Sequence, residues 1–215
     1  MQSVWVIVVA AGSGSRFGRP KQYEELAGRP VLDWSVAAAR ATAAGPDDGV
    51  VVVVPPDRTG EPASGVDTVV GGGATRSSSV RAGLAAVPRD ADVIVVHDGA
   101  RPLAGTELFA RVVEAVRDGA EAAVPAVEVT DTLRHRSGGP VDRNGVVAVQ
   151  TPQAFRAAAL RRAHAAEPEA TDDASLVEAA GGKVVVVEGS PANLKITRPI
   201  DLAIAEALLR FGETP

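Results

Sequence analysis

Val4-Trp5-Val6-Ile7-Val8-Val9-Ala10-Ala11-Gly12-Ser13-Gly14-Ser15-Arg16-Phe17-Gly18-Arg19-Pro20-Lys21 decides how the rest of the chain is read. Residues 4–10 are apolar and rich in β-branched side chains, which predicts a short strand buried on both faces. The strand runs straight into small residues and glycines. With no Cβ in the way, backbone N–H groups there approach a ligand closely, and a run of such amides makes a concave anion site. Arg16, Arg19 and Lys21 add cations to the same loop. The combination suits a polyanion, above all a triphosphate. The dinucleotide fingerprint G-x-G-x-x-G fits less well, because Phe17 holds its third glycine position. No acidic residue closes a second strand about 20 residues on, where a ribose partner belongs. A Walker-type loop would need a Gly-Lys-Ser/Thr ending, and the stretch has none.

Working outward, the strand-then-turn pattern repeats. A helix is expected from Pro30 to Ala44, stopped by Gly45-Pro46. Strands are expected at 50–54, 67–70, 92–97 and 122–127, with a helix that follows the 71–79 turn and runs to about Val87 and another at about 105–117 between them. Residues 57–65 read as a loop or degenerate helix. Strands alternating with helices predict an α/β fold with a Rossmann-like, mostly parallel sheet. Ligands of such sheets bind outside the carboxyl ends of the strands. Loops 10–21, 71–79 and 97–102 are therefore expected to converge on one crevice.

Residues 128–151 break the alternation. Two extended stretches flank a Ser137-Gly138-Gly139-Pro140 tip, which reads as a hairpin or long arm. The excursion at 130–150 has too little apolar content to be stable alone, so it should pack on something, plausibly a second subunit. Thr151-Pro152-Gln153-Ala154-Phe155 returns the chain to the body, and 156–166 is expected to be helical. Asp172 follows Thr171 as part of a helix N-cap signal. A strand at 184–188, an extended piece at 193–197 and a final helix from Pro199 to about Arg210 complete a single domain, 1–215.

The composition bounds the function. The chain has 215 residues, 46% of them hydrophobic, and a net charge of −5. That balance argues against nucleic-acid binding, which needs a basic face. No apolar run reaches the ~18 residues of a membrane span, and no secretory signal pattern opens the chain. With no cysteine there is no thiol or disulfide chemistry. A cytoplasmic protein is expected. Lys21, Lys183 and Lys195 are the only lysines among 22 basic residues, the rest being arginine. A lysine at a motif position is thus marked as wanted for its compact point charge. His97, His135 and His164 form no ligand cluster in the sequence.

Ala10-Ala11-Gly12-x-Gly14-x-Arg16 with Pro20-Lys21-Gln22-Tyr23 resembles the signature of the 2-C-methyl-D-erythritol 4-phosphate cytidylyltransferases, nucleotidyltransferases of the non-mevalonate isoprenoid pathway. Further segments match that family in order: Gly72-Gly73-x-x-Arg76-x-x-Ser79-Val80, His97-Asp98-Gly99-Ala100-Arg101-Pro102, Asp131-Thr132, Val141-Asp142-Arg143, Thr151-Pro152-Gln153-x-Phe155, Thr171-Asp172-Asp173-Ala174-Ser175 and Asn193-Leu194-Lys195-Ile196-Thr197.

The resemblance implies a nucleotidyltransferase-type sheet with a protruding β-arm. It implies transfer of CMP from CTP to the phosphate of 2-C-methyl-D-erythritol 4-phosphate, with Mg²⁺ and release of pyrophosphate. Arg16, Lys21, Arg143 and Lys195 are the implied catalytic residues. Ala10, Ala11, Gly12, Gly14, Lys21, Gly73 and Ser79 would bind the nucleotide. Asp98, Arg101, Thr132, Arg143, Thr151, Thr171 and Lys195 would bind the substrate, Asp98 also touching the metal, which arrives mainly on CTP. The family further implies a homodimer in which the 130–150 arm reaches the partner's site. Family members often carry an acid after the second glycine, where this chain has Ala74. The nearest alternative is a cytidylyltransferase for another polyol phosphate such as ribitol 5-phosphate. A sugar-1-phosphate nucleotidyltransferase and a non-catalytic nucleotide-binding regulator are more remote alternatives.

Overall fold

A computed structural model describes residues 2–61 and 64–212. In chain order its elements begin with β1 (Val4–Val9), β2 (Glu25–Leu26), β3 (Arg29–Pro30), α1 (Val31–Thr42), β4 (Gly49–Val54) and β5 (Thr68–Gly71). Then come α2 (Arg76–Ala86), β6 (Val93–Asp98), α3 (Thr106–Arg117), β7 (Ala122–Glu128) and β8 (Val147–Val149). β9 (Gln153–Arg156), α4 (Ala157–His164), α5 (Asp173–Ala179), β10 (Val184–Glu188) and α6 (Pro199–Arg210) complete it.

The main sheet runs β10-β7-β9-β6-β1-β4-β5, with β8 added beside β7. β1 pairs in parallel with β4 and β6, β4 with β5, and β7 with β10. β9 enters antiparallel between β6 and β7. Residues 153–155, expected as part of a connection, and Arg156, expected to open a helix, form this strand instead. Four residues, Gln153-Ala154-Phe155-Arg156, are too few to show a period, yet Ala154 and Phe155 are fully buried and complete the sheet.

Two apolar layers flank the sheet. Val4, Val6 and Val8 of β1 pack with Val50, Val52, α1 and α3 on one face. Ile7, Val51, Val53, Ile94 and Val96 pack with α2, α4 and α5 on the other. Strands with apolar residues on both faces are what a helix-covered parallel sheet requires, and each fully buried Val or Ile contributes roughly 1.5–3 kcal/mol. A third cluster of Phe17, Leu26, Val31, Leu103, Ile196 and Ala205 anchors α6 beneath the loop that follows β1. The glycine-bearing loops after β1, β5 and β6 are thus hung from buried or half-buried strand ends.

The 130–150 excursion is less regular than a hairpin. Its tip closes through a single bridge between Arg134 and Pro140 and a bond from His135 N–H to Gly139 O. A further bond from Val141 N–H to Leu133 O joins the two halves near the tip, while β8, at the end of the returning half, pairs with β7. Pro56–Arg58 forms one 3-10 turn, and positions 62 and 63 of the expected 57–65 loop lie outside the described residues.

Candidate active site

A cavity of about 420 Å³ lies beyond the C-terminal ends of β1, β5 and β6. Its lining brings together Ala10 to Arg16, Lys21, Gln22, Gly73 to Arg76, Ser79, Asp98, Ala100 and Lys195. The three loops expected to converge do so.

The first wall is the loop after β1. Gly14 has φ +70°, and a Cβ there would sit 1.9 Å from Arg19 O, so only glycine fits this turn. Gly14 O accepts from the N–H groups of Phe17 and Gly18. A Cβ at Gly12 would meet no protein atom within 4 Å. That glycine leaves open space rather than relieving a clash. The loop is held from behind by Gln22, which is buried. Its side-chain amide donates to Ala10 O at 2.6 Å and Gly12 O at 3.0 Å. Taking up these two carbonyls leaves fewer bare oxygens in the loop to repel an anion. The sequence alone gives Gln22 no role. A lone amide side chain among loop cations was the available signal.

Arg16 and Lys21 both line this wall. Burial, then the neighbouring Lys195 and Arg16, lower the Lys21 pKa, while Asp98 opposes the shift. Like charges gathered in one concave wall favour an anion. Arg19 does not join them: it pairs with Glu24 at 2.5 Å and lies over the Phe17 ring.

The second wall is the turn after β5. A Cβ at Gly72 would sit 2.3 Å from the Ala11 Cβ, so glycine there is what lets the two loops approach. Thr75 caps α2 reciprocally with Ser78. Gly73 N–H donates to Ser79 Oγ at 3.2 Å, and that hydroxyl donates to Thr75 O at 2.8 Å. Ser79 thus shapes the Gly73 turn from a buried position. Arg76, quoted in the motif but given no role, lines the cavity and lies 3.6 Å from Asp98. A cation in the first turn of a helix is opposed by the helix dipole, and that misfit was its signal.

The floor is Asp98, at the end of β6. Its Oδ2 accepts from Lys195 Nζ at 2.5 Å. Burial alone would raise its pKa, but Lys195 and Arg76 outweigh that and hold the carboxyl well below the usual range. Asp98 N–H donates to the Thr151 hydroxyl at 3.0 Å, and the same hydroxyl lies 3.2 Å from His97 Nδ1. His97 is fully buried against Phe109, and burial lowers its pKa to about 4. Arg101 does not pair with Asp98. Its guanidinium donates to Asn193 O at 2.7 Å. Asn193, fully buried, donates to Thr151 O and Gln150 Oε1. Ile196 N–H donates to Ala100 O. Arg101 and Thr151 are therefore built into the support of Asp98 and Lys195 rather than into the cavity lining.

Thr132, Arg143 and Thr171 are not brought to this cavity by their own chain. All three are exposed. Arg143 donates to Thr130 O within the arm. Among the described residues no cluster of three or more His, Cys, Asp or Glu side chains could hold a metal. The cavity offers one carboxylate, Asp98, which suits a single ligand to an ion held otherwise by phosphates and water. Among the described residues no helix is long and apolar enough to cross a membrane.

The chain matches the family model described as "IspD: 2-C-methyl-D-erythritol 4-phosphate cytidylyltransferase" over residues 4–211. It is 44% identical to the 2-C-methyl-D-erythritol 4-phosphate cytidylyltransferase of Rubrobacter xylanophilus, covering 99% of this chain and 97% of that one. It is 43% identical to the bifunctional enzyme IspD/IspF of Nitratidesulfovibrio vulgaris, and spans 57% of that protein's length. Among solved structures it is similar to the 2-C-methyl-D-erythritol 4-phosphate cytidylyltransferase of Thermus thermophilus. That likeness has a TM-score of 0.81 and 41% identity, with 98% of this chain and 100% of that chain covered.

Proposed function

The chain belongs to the 2-C-methyl-D-erythritol 4-phosphate cytidylyltransferase family, and from that membership and the cavity's chemistry we propose how it works. It transfers the cytidylyl group of CTP to the phosphate of 2-C-methyl-D-erythritol 4-phosphate, a step of the non-mevalonate isoprenoid route. The observation that carries this reading is the gathering of Arg16, Lys21, Arg76 and Lys195 with Asp98 around one cavity walled by a glycine loop.

A phosphate oxygen of the polyol substrate attacks the α-phosphorus of CTP in line. The new P–O bond forms as the bond to the β-phosphate bridging oxygen breaks, and pyrophosphate leaves with that electron pair. A phosphomonoester dianion needs no general base. Catalysis is then positioning and charge stabilisation. Arg16 and Lys21 act on the charge that builds at the α-phosphorus. Ala11, Gly12 and Gly14 wrap the triphosphate with backbone amides, Ala10 lines the wall with its N–H donated to Val53 O, and Gly73 with Ser79 frames the base. Lys195 takes the phosphate of the polyol substrate and Asp98 takes hydroxyls of the substrate or ribose, both held in place by Arg101 and Thr151.

Thr132 and Arg143, exposed on the arm, serve the site of a second copy, so the working form is a homodimer. Thr171, exposed and outside the cavity lining, is assigned to the same substrate with the arm residues. Asp98 together with the nucleotide phosphates would hold Mg²⁺. The ion supplies neutralisation of phosphate charge when bound. The reaction runs in the cytoplasm, where CTP is available. The test is purified protein with CTP, Mg²⁺ and either 2-C-methyl-D-erythritol 4-phosphate or ribitol 5-phosphate, scored for pyrophosphate. Release with the first and little with the second is expected. Release with ribitol 5-phosphate alone, or with neither, would overturn the reading.

A further inference from the structure

The mechanism above leaves one buried acid unused. Asp173, in the first turn of α5, is fully buried. Its Oδ2 accepts from Arg76 Nη1 at 2.7 Å, and its Oδ1 lies 3.0 Å from His164 Nε2. His164 is itself buried at the end of α4. Its Nδ1 is buried and has no hydrogen-bond partner among the described residues. The tautomer with its proton on Nε2 therefore donates to Asp173 and strands no buried N–H. Three helices meet on one carboxylate, and the line continues into the cavity. Arg76 lies 3.6 Å from Asp98, whose other oxygen is held by Lys195 at 2.5 Å.

Stability alone is a poor reason for this arrangement. A buried ion pair is commonly no better than well-packed apolar side chains. Arg76 also sits where the helix dipole opposes a cation. What a buried carboxylate does supply is geometry. A guanidinium is a flat fork, and a bond to one nitrogen fixes the direction of the others. On the reading of this cavity as the cytidylyltransferase site, we propose that Asp173, backed by His164, is a positioning residue: it fixes the Arg76 guanidinium at the cavity wall and, through Arg76, sets where Asp98 stands beside Lys195. Arg76 shares its wall with Gly73, Ala74, Thr75 and Ser79, so the consequence falls mainly on CTP.

The test compares the parent with Asp173→Asn, Arg76→Gln and the double variant. Three quantities are read: thermal melting, the Arg76 Nε–Hε signal by NMR, and kcat and KM for both substrates. Asp173→Asn is expected to melt cooperatively and to lose the slowly exchanging Arg76 signal. Its KM for CTP should rise about tenfold, the scale of losing an orienting partner, with a smaller change for the polyol phosphate. The double variant should be no worse than Arg76→Gln alone, because both lesions break one line. An unchanged Arg76 signal with unchanged CTP kinetics overturns the proposal, and so do losses that multiply in the double variant. If Asp173→Asn does not fold, His164→Leu carries the test. It should weaken the Arg76 signal, and His164→Gln, which keeps an N–H donor, should restore it. A parent-like signal in His164→Leu overturns the proposal. If the parent releases no pyrophosphate, the functional reading fails while the Arg76 signal still reports on positioning.

Discussion

Lys21 and Arg143 are both cations assigned to phosphate, and the chain treats them differently. Lys21 leaves a loop whose carbonyls are taken up by Gln22, whose turn demands Gly14, and whose neighbour Phe17 is buried in the core beneath α6. Arg143 stands on an exposed excursion, bound to the carbonyl of Thr130 in the same arm. On the reading proposed above, the chain pre-forms the nucleotide half of the site with its own strands. Nothing in its own described fold brings the arm to that site. A guanidinium needs fixed geometry to bind phosphate well, and an arm this poor in apolar contacts cannot offset its own ordering entropy. On the reading proposed above, the difference teaches that one subunit specifies half a site and that the arm waits for a second copy to order it.

The comparison is broken most severely at Lys21. Lys21→Ala should cost about 3–4 kcal/mol of transition-state stabilisation, the scale of removing one preorganised charge contact. Turnover is then nearly lost while the melting temperature stays near that of the parent. Turnover within a few-fold of the parent would make Lys21 a bystander.

The floor of the nucleotide half gives the next effect, on stability. His97 titrates near 4 when folded, against an ordinary 6.5, because it is buried. Between these values the unfolded chain holds more protons, so stability rises with pH there and is lost on acidification from about 6.5 towards 4. A shift of this size corresponds to roughly 3 kcal/mol. His97→Gln, compared with the parent by denaturant unfolding at a series of pH values, should flatten the curve in that window. An equally steep curve in the variant would place the acid sensitivity elsewhere.

Arg143→Ala sharpens the contrast from the other side. On an exposed arm it should leave stability within about 0.5 kcal/mol. It should raise KM for the polyol phosphate about tenfold, or ~1.4 kcal/mol, with KM for CTP little changed. A larger effect on CTP than on the polyol phosphate would reverse the assignment.

The sequence made the nucleotide half legible because its signals are local. A buried strand followed by Gly12, Gly14, Arg16 and Lys21 lies within one contiguous stretch, and the crevice follows from where parallel strands end. β9 was not legible because four residues carry no period and their burial depends on β6 and β7 being apart in sequence. Gln22, Arg76 and Asp173 escaped for a related reason. A supporting side chain is recognised by what it touches, and Asp173 lies 97 residues from Arg76. Arg101 and Thr151 were legible as motif members, yet their hydrogen bonds to Asn193 and Asp98 belong to support rather than lining. The arm was legible as an excursion. Its partner is not a property of one chain, and neither sequence nor fold writes it there.

The claim that two chains complete each site is tested most directly by mixing. Arg143→Ala and Lys21→Ala proteins are combined and allowed to exchange subunits, with exchange followed by native mass spectrometry. The assay holds the polyol phosphate well below KM, where each variant alone is weakly active. If the arm serves the partner, every mixed dimer holds one site with both lesions and one site with neither. Pyrophosphate release should then rise in proportion to the mixed dimer, at one parent-like site for each. If mixed dimers form and activity stays at the level of the separate variants, the arm serves its own chain and the shared site is wrong.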